Sequence, residues 1–283
     1  MNTNNDDIRA IAVEADRIEA RAWSDWYAAI PPEFRSEFGF AVRTVADATL
    51  LMAPQIPMTL LNRAVGLGMT RPASADDVDA VMKAFVDAGC STFGLAWGPY
   101  AEPAALAPHL EAIFPTPAQR TSWAKMVRGT VPPSSPDSDL RIVPVDRSLV
   151  GETDRAIACA QGAPFLAGIV APLFWRPRWH LYAAMDRDVV VGGAALFLEG
   201  DSAWLGMAGV LPKYTRRGGQ TCLMVQRIRD AIAAGATRIF TETDEPSQTG
   251  ANPSLNNMKR CGFEKIVSRT HFIGPTGTPG YRS

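Results

Sequence analysis

Residues 210–236 read VLPKYTRRGGQTCLMVQRIRDAIAAGA, placing two arginines and two adjacent glycines, Arg216-Arg217-Gly218-Gly219, between a strand-like run and a helical one. From about Gln220 to Ala234 the apolar residues Met224, Ile228 and Ile232 recur every four positions, and Gly235 follows as a stop, so this stretch predicts a helix. A surface loop needs only polar residues and a single glycine. This one sets two fixed positive charges and an unhindered backbone against the first turn of a helix, where unpaired N–H groups and a partial positive charge already favour anions. Arg216 and Arg217 add charge-assisted donors, and the first helical turns, QTCLMVQ, contain no acidic side chain to occupy the positive end. The stretch predicts a phosphate site on a strand, loop and helix.

The bulk composition narrows the partners. Among 283 residues, 28 Lys and Arg stand against 29 Asp and Glu, a formal net charge of -1 that gives no general attraction to a polyanion and argues against nucleic-acid binding. The opening MNTNNDDIRA is polar and acidic with no apolar core behind it, which does not read as a signal peptide. The longest nearly apolar run, VVVGGAALFL at 189–198, is too short for a bilayer and interrupted by glycine, so no membrane span is expected. Cys90, Cys159, Cys222 and Cys261 lie far apart without a C-x-x-C pair, which suggests neither a metal site nor a disulfide framework. A cytoplasmic protein with reduced thiols is the expectation.

The length suits two domains, and TVPPSSPDSD at 130–139, rich in proline and serine, marks the seam. The expected division is an N-terminal domain over 1–130 with a leading amphipathic helix, a linker over 131–139 and a C-terminal domain over 140–283. Downstream, LRIVPV reads as a strand, RSLVGETDRAIACAQ as a helix, and APFLAGIVAPLFWRPRW as a short helix and loop. WHLYAAM, VVVGGAALFLE and SAWLGMAGVLP, separated by the turn-prone DRD and GD, predict an antiparallel meander. After the helix of the quoted stretch come TRIFTETD (strand), PSLNNMKRC (helix closed by Gly262) and EKIVSRTHFI (strand). Upstream, MTLLNRAVGLGM, SADDVDAVMKAFVDAGC, STFGLAWG, AALAPHLEAIF and RTSWAKMVRG repeat the β-α-β-α-β tail of that order, which reads as an internal duplication.

The duplicate provides a contrast at the matching helix start. There the chain reads MTRPASADDVDA, with Ser74 suited to capping and Asp76, Asp77 and Asp79 in the first turns. Such a start satisfies its own dipole and repels phosphate, so only the downstream copy is expected to bind an anion. Neither G-x-x-x-x-G-K-[ST] nor a G-x-G-x-x-G with a ribose-binding acid occurs, which removes nucleoside triphosphate and dinucleotide readings.

VLPKYTRRGGQTCLMVQRI, followed by TRIFTETD and NPSLNNMKRCGFEKI, resembles the GNAT superfamily of N-acetyltransferases over roughly Leu140 to Ile273. The family's acyl-CoA motif has the form [QR]-x-x-G-x-[GA]. In one register Thr215 stands at its first position, Arg217 and Gly218 at the central x-G, and Gln220 at its last; in the other Arg216 opens it, Gly219 is central and Thr221 ends it. The resemblance implies an α/β (α+β) fold, a mixed, largely antiparallel central sheet flanked by helices, in two tandem modules of which the upstream one is degenerate. It also implies acetyl-CoA, or another acyl-CoA, as co-substrate, held by Arg216, Arg217 and backbone N–H groups of Gly218, Gly219, Gln220 and Thr221, with the strand edge at Val210 and Leu211 pairing with pantetheine.

The same resemblance implies direct acyl transfer to an amine, the oxyanion held by a strand N–H near Val210. The position where many members carry a tyrosine acid is Met258, which donates no proton. For the base, Glu242 is the first candidate and Asp244 the second; a strand end or helix cap explains both equally simply. Trp175, Arg176, Trp179 and His180 are either core or one wall of an acceptor pocket, His109 and His271 have no partner suggesting catalysis, and Asn252 and Asn257 read as caps before coenzyme contacts. The acceptor is a small amine or a protein amino group, the upstream half a structural partner or a wall of the acceptor site, and a homodimer is left open. The rival reading is a sensor that binds acyl-CoA without turning it over.

Overall fold

The computed structural model describes residues 5–134, 136–245 and 252–275. Upstream of the linker lie the strands β1 (Ala41–Val45), β2 (Ala48–Met52), β3 (Arg63–Val65), β4 (Thr92–Trp97) and β5 (Arg120–Arg128), with the helices α1 (Asn5–Ala29), α2 (Pro32–Phe38), α3 (Ala75–Asp87) and α4 (Leu106–Ile113). Downstream lie β6 (Arg141–Pro144), β7 (Trp179–Asp186), β8 (Val189–Glu199), β9 (Ser202–Val210), β10 (Arg238–Asp244) and β11 (Glu264–Pro275), with α5 (Val150–Ala160), α6 (Gly219–Ala233) and α7 (Pro253–Arg260). The expected order is present in both halves. The proline-rich segment after α5 folds as two short 3-10 turns, Pro164–Leu166 and Ala171–Trp175, and the hairpin β1-β2 and helix α2 are additions to it.

All the strands join one 11-stranded sheet in the order β1-β2-β3-β4-β11-β5-β10-β9-β8-β7-β6. Pairing is parallel between β3 and β4 and between β9 and β10, and antiparallel elsewhere. The linker divides the chain but not the sheet. Each half's last strand is exchanged: β5 pairs with β10, and β11 pairs with β4, so the two lie side by side at the centre.

Side chains alternate along these strands and sort the core into two faces. On β8, Val190, Ala195 and Phe197 pack with α1 and α5 on one face, whereas Val191, Ala194 and Leu196 pack with Leu223, Val225 and Ile228 of α6 on the other. The upstream half repeats the division, with Leu51 toward α1 and Leu50 and Met52 toward Val78, Val81 and Phe85 of α3. Thus α1 and α5 cover one side, and α3, α4, α6 and α7 cover the opposite side.

Where α1 crosses the exchanged strands, the interface is ionic. Glu19 of α1 is fully buried and meets Lys125 Nζ at 2.6 Å, Arg269 Nη1 at 2.7 Å and Arg63 Nη2 at 2.9 Å. Glu242 on β10 meets the same three cations at 2.8, 3.1 and 3.3 Å, and Asp16 meets Arg269 Nη1 at 2.7 Å. Three carboxylates and three cations thus balance inside the protein. Burial pushes the Glu19 carboxyl up, but Arg269, Lys125 and Arg63 together outweigh it and hold it well below the usual range. The Arg63 guanidinium also lies 4.4 Å from the Trp23 ring centroid.

Removing one member leaves its partners charged and desolvated, a loss of about 3–5 kcal/mol. Glu19→Gln is therefore expected to lower the unfolding free energy by about that amount, read from urea or guanidinium midpoints. A loss under about 1 kcal/mol would place this cluster with weak surface ion pairs instead.

Candidate functional site

The start of α6 has no side-chain cap, and Gly218, the N-cap residue, has φ +79°. The first intrahelical bond runs from Cys222 N–H to the Gly218 carbonyl at 3.0 Å, so the N–H groups of Gly219, Gln220 and Thr221 precede the ladder. A Cβ at position 218 would stand 2.8 Å from the carbonyl oxygen of Asp137, so only glycine fits this turn. Arg216 is exposed, with no ion-pair or hydrogen-bond partner among the described residues. Arg217 is committed elsewhere, to Asp139 and to Asp186, whose carboxyls its hydrogen bonds hold below their usual range. The linker joins in, since Ser138 Oγ donates to the Arg217 carbonyl at 2.6 Å. The result is a cleft of about 1080 Å³ between the linker, the loop and α7.

The corresponding start of α3 is closed. Ser74 accepts from the Asp77 N–H, the Asp77 carboxylate accepts from the Ser74 N–H, and Arg71 pairs with Asp77 at 2.9 Å. The contrast expected between the two helix starts is present in their hydrogen bonds.

Behind the cleft the sheet opens. β9 and β10 pair only from Ser202↔Arg238 to Trp204↔Phe240; beyond that β9 stays with β8 and β10 stays with β5. A bulge sharpens the divergence, because the register with β8 shifts between Gly193 and Ala195, and Met207 takes φ +51°. Arg227 of α6 anchors this bend from below, its Nη1 donating to the carbonyls of Ala195 and Gly206 at 3.0 and 3.2 Å. In the gap lies a cavity of about 340 Å³, lined by Leu205–Ala208 of β9, Thr241–Asp244 of β10 and aromatic residues of both halves. Gln220 lines both the cleft and the cavity.

The overall fold is shared with solved structures. A GCN5-related N-acetyltransferase from Kribbella flavida superimposes with a TM-score of 0.60 over 94% of this chain and 96% of its own, at 17% identity. The chain has the GNAT fold. A GCN5-related N-acetyltransferase from Sphaerobacter thermophilus gives 0.55 at 16% identity, covering 83% of this chain and 82% of its own. A tandem GNAT protein from the clavulanic acid biosynthesis pathway gives 0.54 at 12% identity, covering 81% and 78%. No protein-family model matches the sequence, and no curated protein does.

On this GNAT scaffold the sequence-derived residues fall into separate places. Val210, Arg216, Arg217, Gly218, Gly219, Gln220 and Thr221 line the cleft, and Leu211 stands at its edge with its N–H already donated to the Val191 carbonyl at 2.8 Å. Glu242 lines the cavity, yet it is neither a solvated strand end nor a cap: its oxygens are held by Lys125, Arg269 and Arg63. Asp244 also lines the cavity, exposed, with Oδ1 accepting from Asn252 Nδ2 at 3.0 Å and Oδ2 unpartnered among the described residues. Asn252 caps α7 as expected, Asn257 lines the cleft, and Met258 lines the cavity.

The cluster around His180 does not line the cavity. Trp179 is buried and donates to Asp25 at 2.8 Å, Arg176 pairs with the same carboxylate, and Trp175 and His180 face solvent away from the cavity. The aromatic wall comes instead from Trp23, Trp26, Trp123 and Trp204, which sequence reasoning did not single out. Trp204 owes its pose to Gly206, since a Cβ there would stand 2.0 Å from its ring.

His271 is buried against Trp123, with ring centroids 5.1 Å apart, and accepts a hydrogen bond from Arg269 Nε. Burial first, then the charges of Arg269 and Arg63, push its imidazole well below 6.5, against a smaller opposing pull from Glu19. The folded protein therefore keeps His271 neutral while the unfolded chain takes up a proton below pH about 6.5, so stability falls on acidification by about 1.4 kcal/mol per pH unit from this group. Glu19 adds to the fall at lower pH, since its stabilisation is present above about 4.5 and lost below it. Urea unfolding between pH 7 and 5 is expected to show this slope, and His271→Gln to flatten it.

Proposed function

We propose that this chain is an acyl-CoA-dependent N-acyltransferase, with acetyl-CoA its first candidate donor, and that 140–283 is the coenzyme-holding module of a tandem pair with 1–130. The observation that carries the reading is the gap between β9 and β10, beside which a cleft at an uncapped helix start and a partly open, largely apolar cavity share Gln220 in their linings. The pyrophosphate rests on the N–H groups of Gly219, Gln220 and Thr221 with Arg216 alongside, while Arg217 shapes the loop through Asp139 and Asp186. Pantetheine follows the unpaired edge of β9 beyond Trp204 toward Val210 and brings the thioester to the bulge at Met207.

In the transfer the amine nitrogen attacks the thioester carbonyl carbon, the carbon–sulfur bond breaks, and the proton lost by nitrogen is balanced by one gained at sulfur. Preorganised donors and the buried charge of Arg227, held behind the bulge, stabilise the oxyanion. Of the two cavity carboxylates, Asp244 has an oxygen without a partner among the described residues, and it receives the amine proton. A proton arriving at Glu242 must displace one of three cations, so Glu242 serves to fix β10 and the field of the cavity floor. Met258 supplies no acid, and the thiolate is protonated from solvent.

Acetyl-CoA at a hundred times its dissociation constant is expected to add about 2.7 kcal/mol, a melting shift of several degrees. Arg216→Glu and Gly218→Asp are expected to abolish that shift. Ser74→Ala should cost about 1 kcal/mol of stability and leave it intact. A shift unchanged in Arg216→Glu would move the coenzyme away from this loop, and a shift without thiol release for any amine would favour a binding module.

A further inference from the structure

The cavity in the sheet gap is lined mainly by apolar and aromatic side chains. Its walls are Trp23, Trp26 and Met58 from the upstream half, Leu166 and Trp204 from the downstream half, and Trp123 from the exchanged strand β5. Its volume of about 340 Å³ lies at the small end of the range of ligand pockets, roughly 300–1,000 Å³.

The charges around it cancel. The floor carboxylate Glu242 belongs to the buried set in which Asp16, Glu19 and Glu242 face Arg63, Lys125 and Arg269, three against three. Two ionised groups remain in the lining. Arg227 is buried behind the bulge and bonded to the carbonyls of Leu223, Ala195 and Gly206, and Asp244 is exposed with an oxygen that has no partner among the described residues. A polyamine or an aminosugar with several ammonium groups needs several free carboxylates to replace its hydration, and this cavity offers one.

Resting on the acyltransferase reading above, we infer that the acceptor is a small monoamine with an apolar, aromatic or branched body, seated among the tryptophans with its nitrogen toward Asp244. The upstream half then acts as the specificity wall of a reaction whose donor is held downstream. Tryptophans in the wall also make occupancy visible without turnover.

The test compares 2-phenylethylamine, spermidine and kanamycin as acceptors, with acetyl-CoA as donor and thiol release as readout, alongside tryptophan fluorescence titration with each amine. The expected result is a kcat/KM for 2-phenylethylamine at least tenfold above the other two and saturable fluorescence quenching by it alone. Ala158→Phe, which adds a ring to the cavity lining from α5, should raise the KM for 2-phenylethylamine at least tenfold and preserve the melting shift with acetyl-CoA. Should that variant fold poorly, Asp244→Asn at the exposed edge replaces it, with the same tenfold loss in kcat/KM and unchanged fluorescence quenching by the uncharged body.

Preference for spermidine or kanamycin overturns the inference and leaves an acyltransferase standing. An acetyl-CoA shift without quenching by 2-phenylethylamine does the same. Absence of any acetyl-CoA shift in the wild type removes the acyltransferase reading, and this inference with it.

Discussion

The buried set of charges beneath α1 is the constraint on which the architecture turns. Lys125 lies directly opposite Glu242 in the β5-β10 register and opposite Val267 in the β5-β11 register, so it can reach Glu19, Glu242 and Asp16 only if β5 occupies the place between β10 and β11. A slip of one residue would turn Lys125 to the face of Ala124 and Met126, into an apolar layer. The same charges hold α1 in place, and α1 brings Trp23 and Trp26 to the cavity. Charge balance, strand order and the shape of the site are therefore one arrangement seen from three sides.

The two halves illustrate how similar element orders diverge in chemistry. Both run strand, helix, strand, helix, strand around a parallel pair, β3-β4 or β9-β10. One helix start is sealed by Ser74 and Asp77, the other left open by Gly218. A few residues at a turn separate them, because the N-terminal N–H groups must be satisfied by the chain's own side chains or by something else.

Much of this was legible in the sequence, for reasons that differ by element. Strong periodicity located α3, α6 and the β7-β8-β9 meander, and capping chemistry identified the closed and open helix starts. The β1-β2 hairpin escaped notice because its turn puts Ala46, not glycine, at φ +57°, and β1 is mostly exposed rather than alternating. The charge cluster escaped because its members are spread from Asp16 to Arg269 over five elements, with only Asp16 and Glu19 sharing one. A trace was there: Lys125 in SWAKMV and Arg269 in IVSRTHFI sit within apolar strands, where an isolated charge requires a buried partner. The tryptophans of the cavity could not be told from core ones, since their role depends on strand order, which periodicity does not encode.

The reciprocal placement of β5 and β11 also sets a timetable for the nascent chain. β4 emerges early from the ribosome, yet β11, which covers its open edge, is made after every other described strand. Until then β4 and β5 both present unpaired backbone, and neither half can close its sheet from its own residues. Pairings between distant parts of a chain form slowly, so this protein spends its synthesis with two adhesive edges exposed. Such a molecule would gain more from a chaperone that shields strands than would two independent modules joined by the same linker.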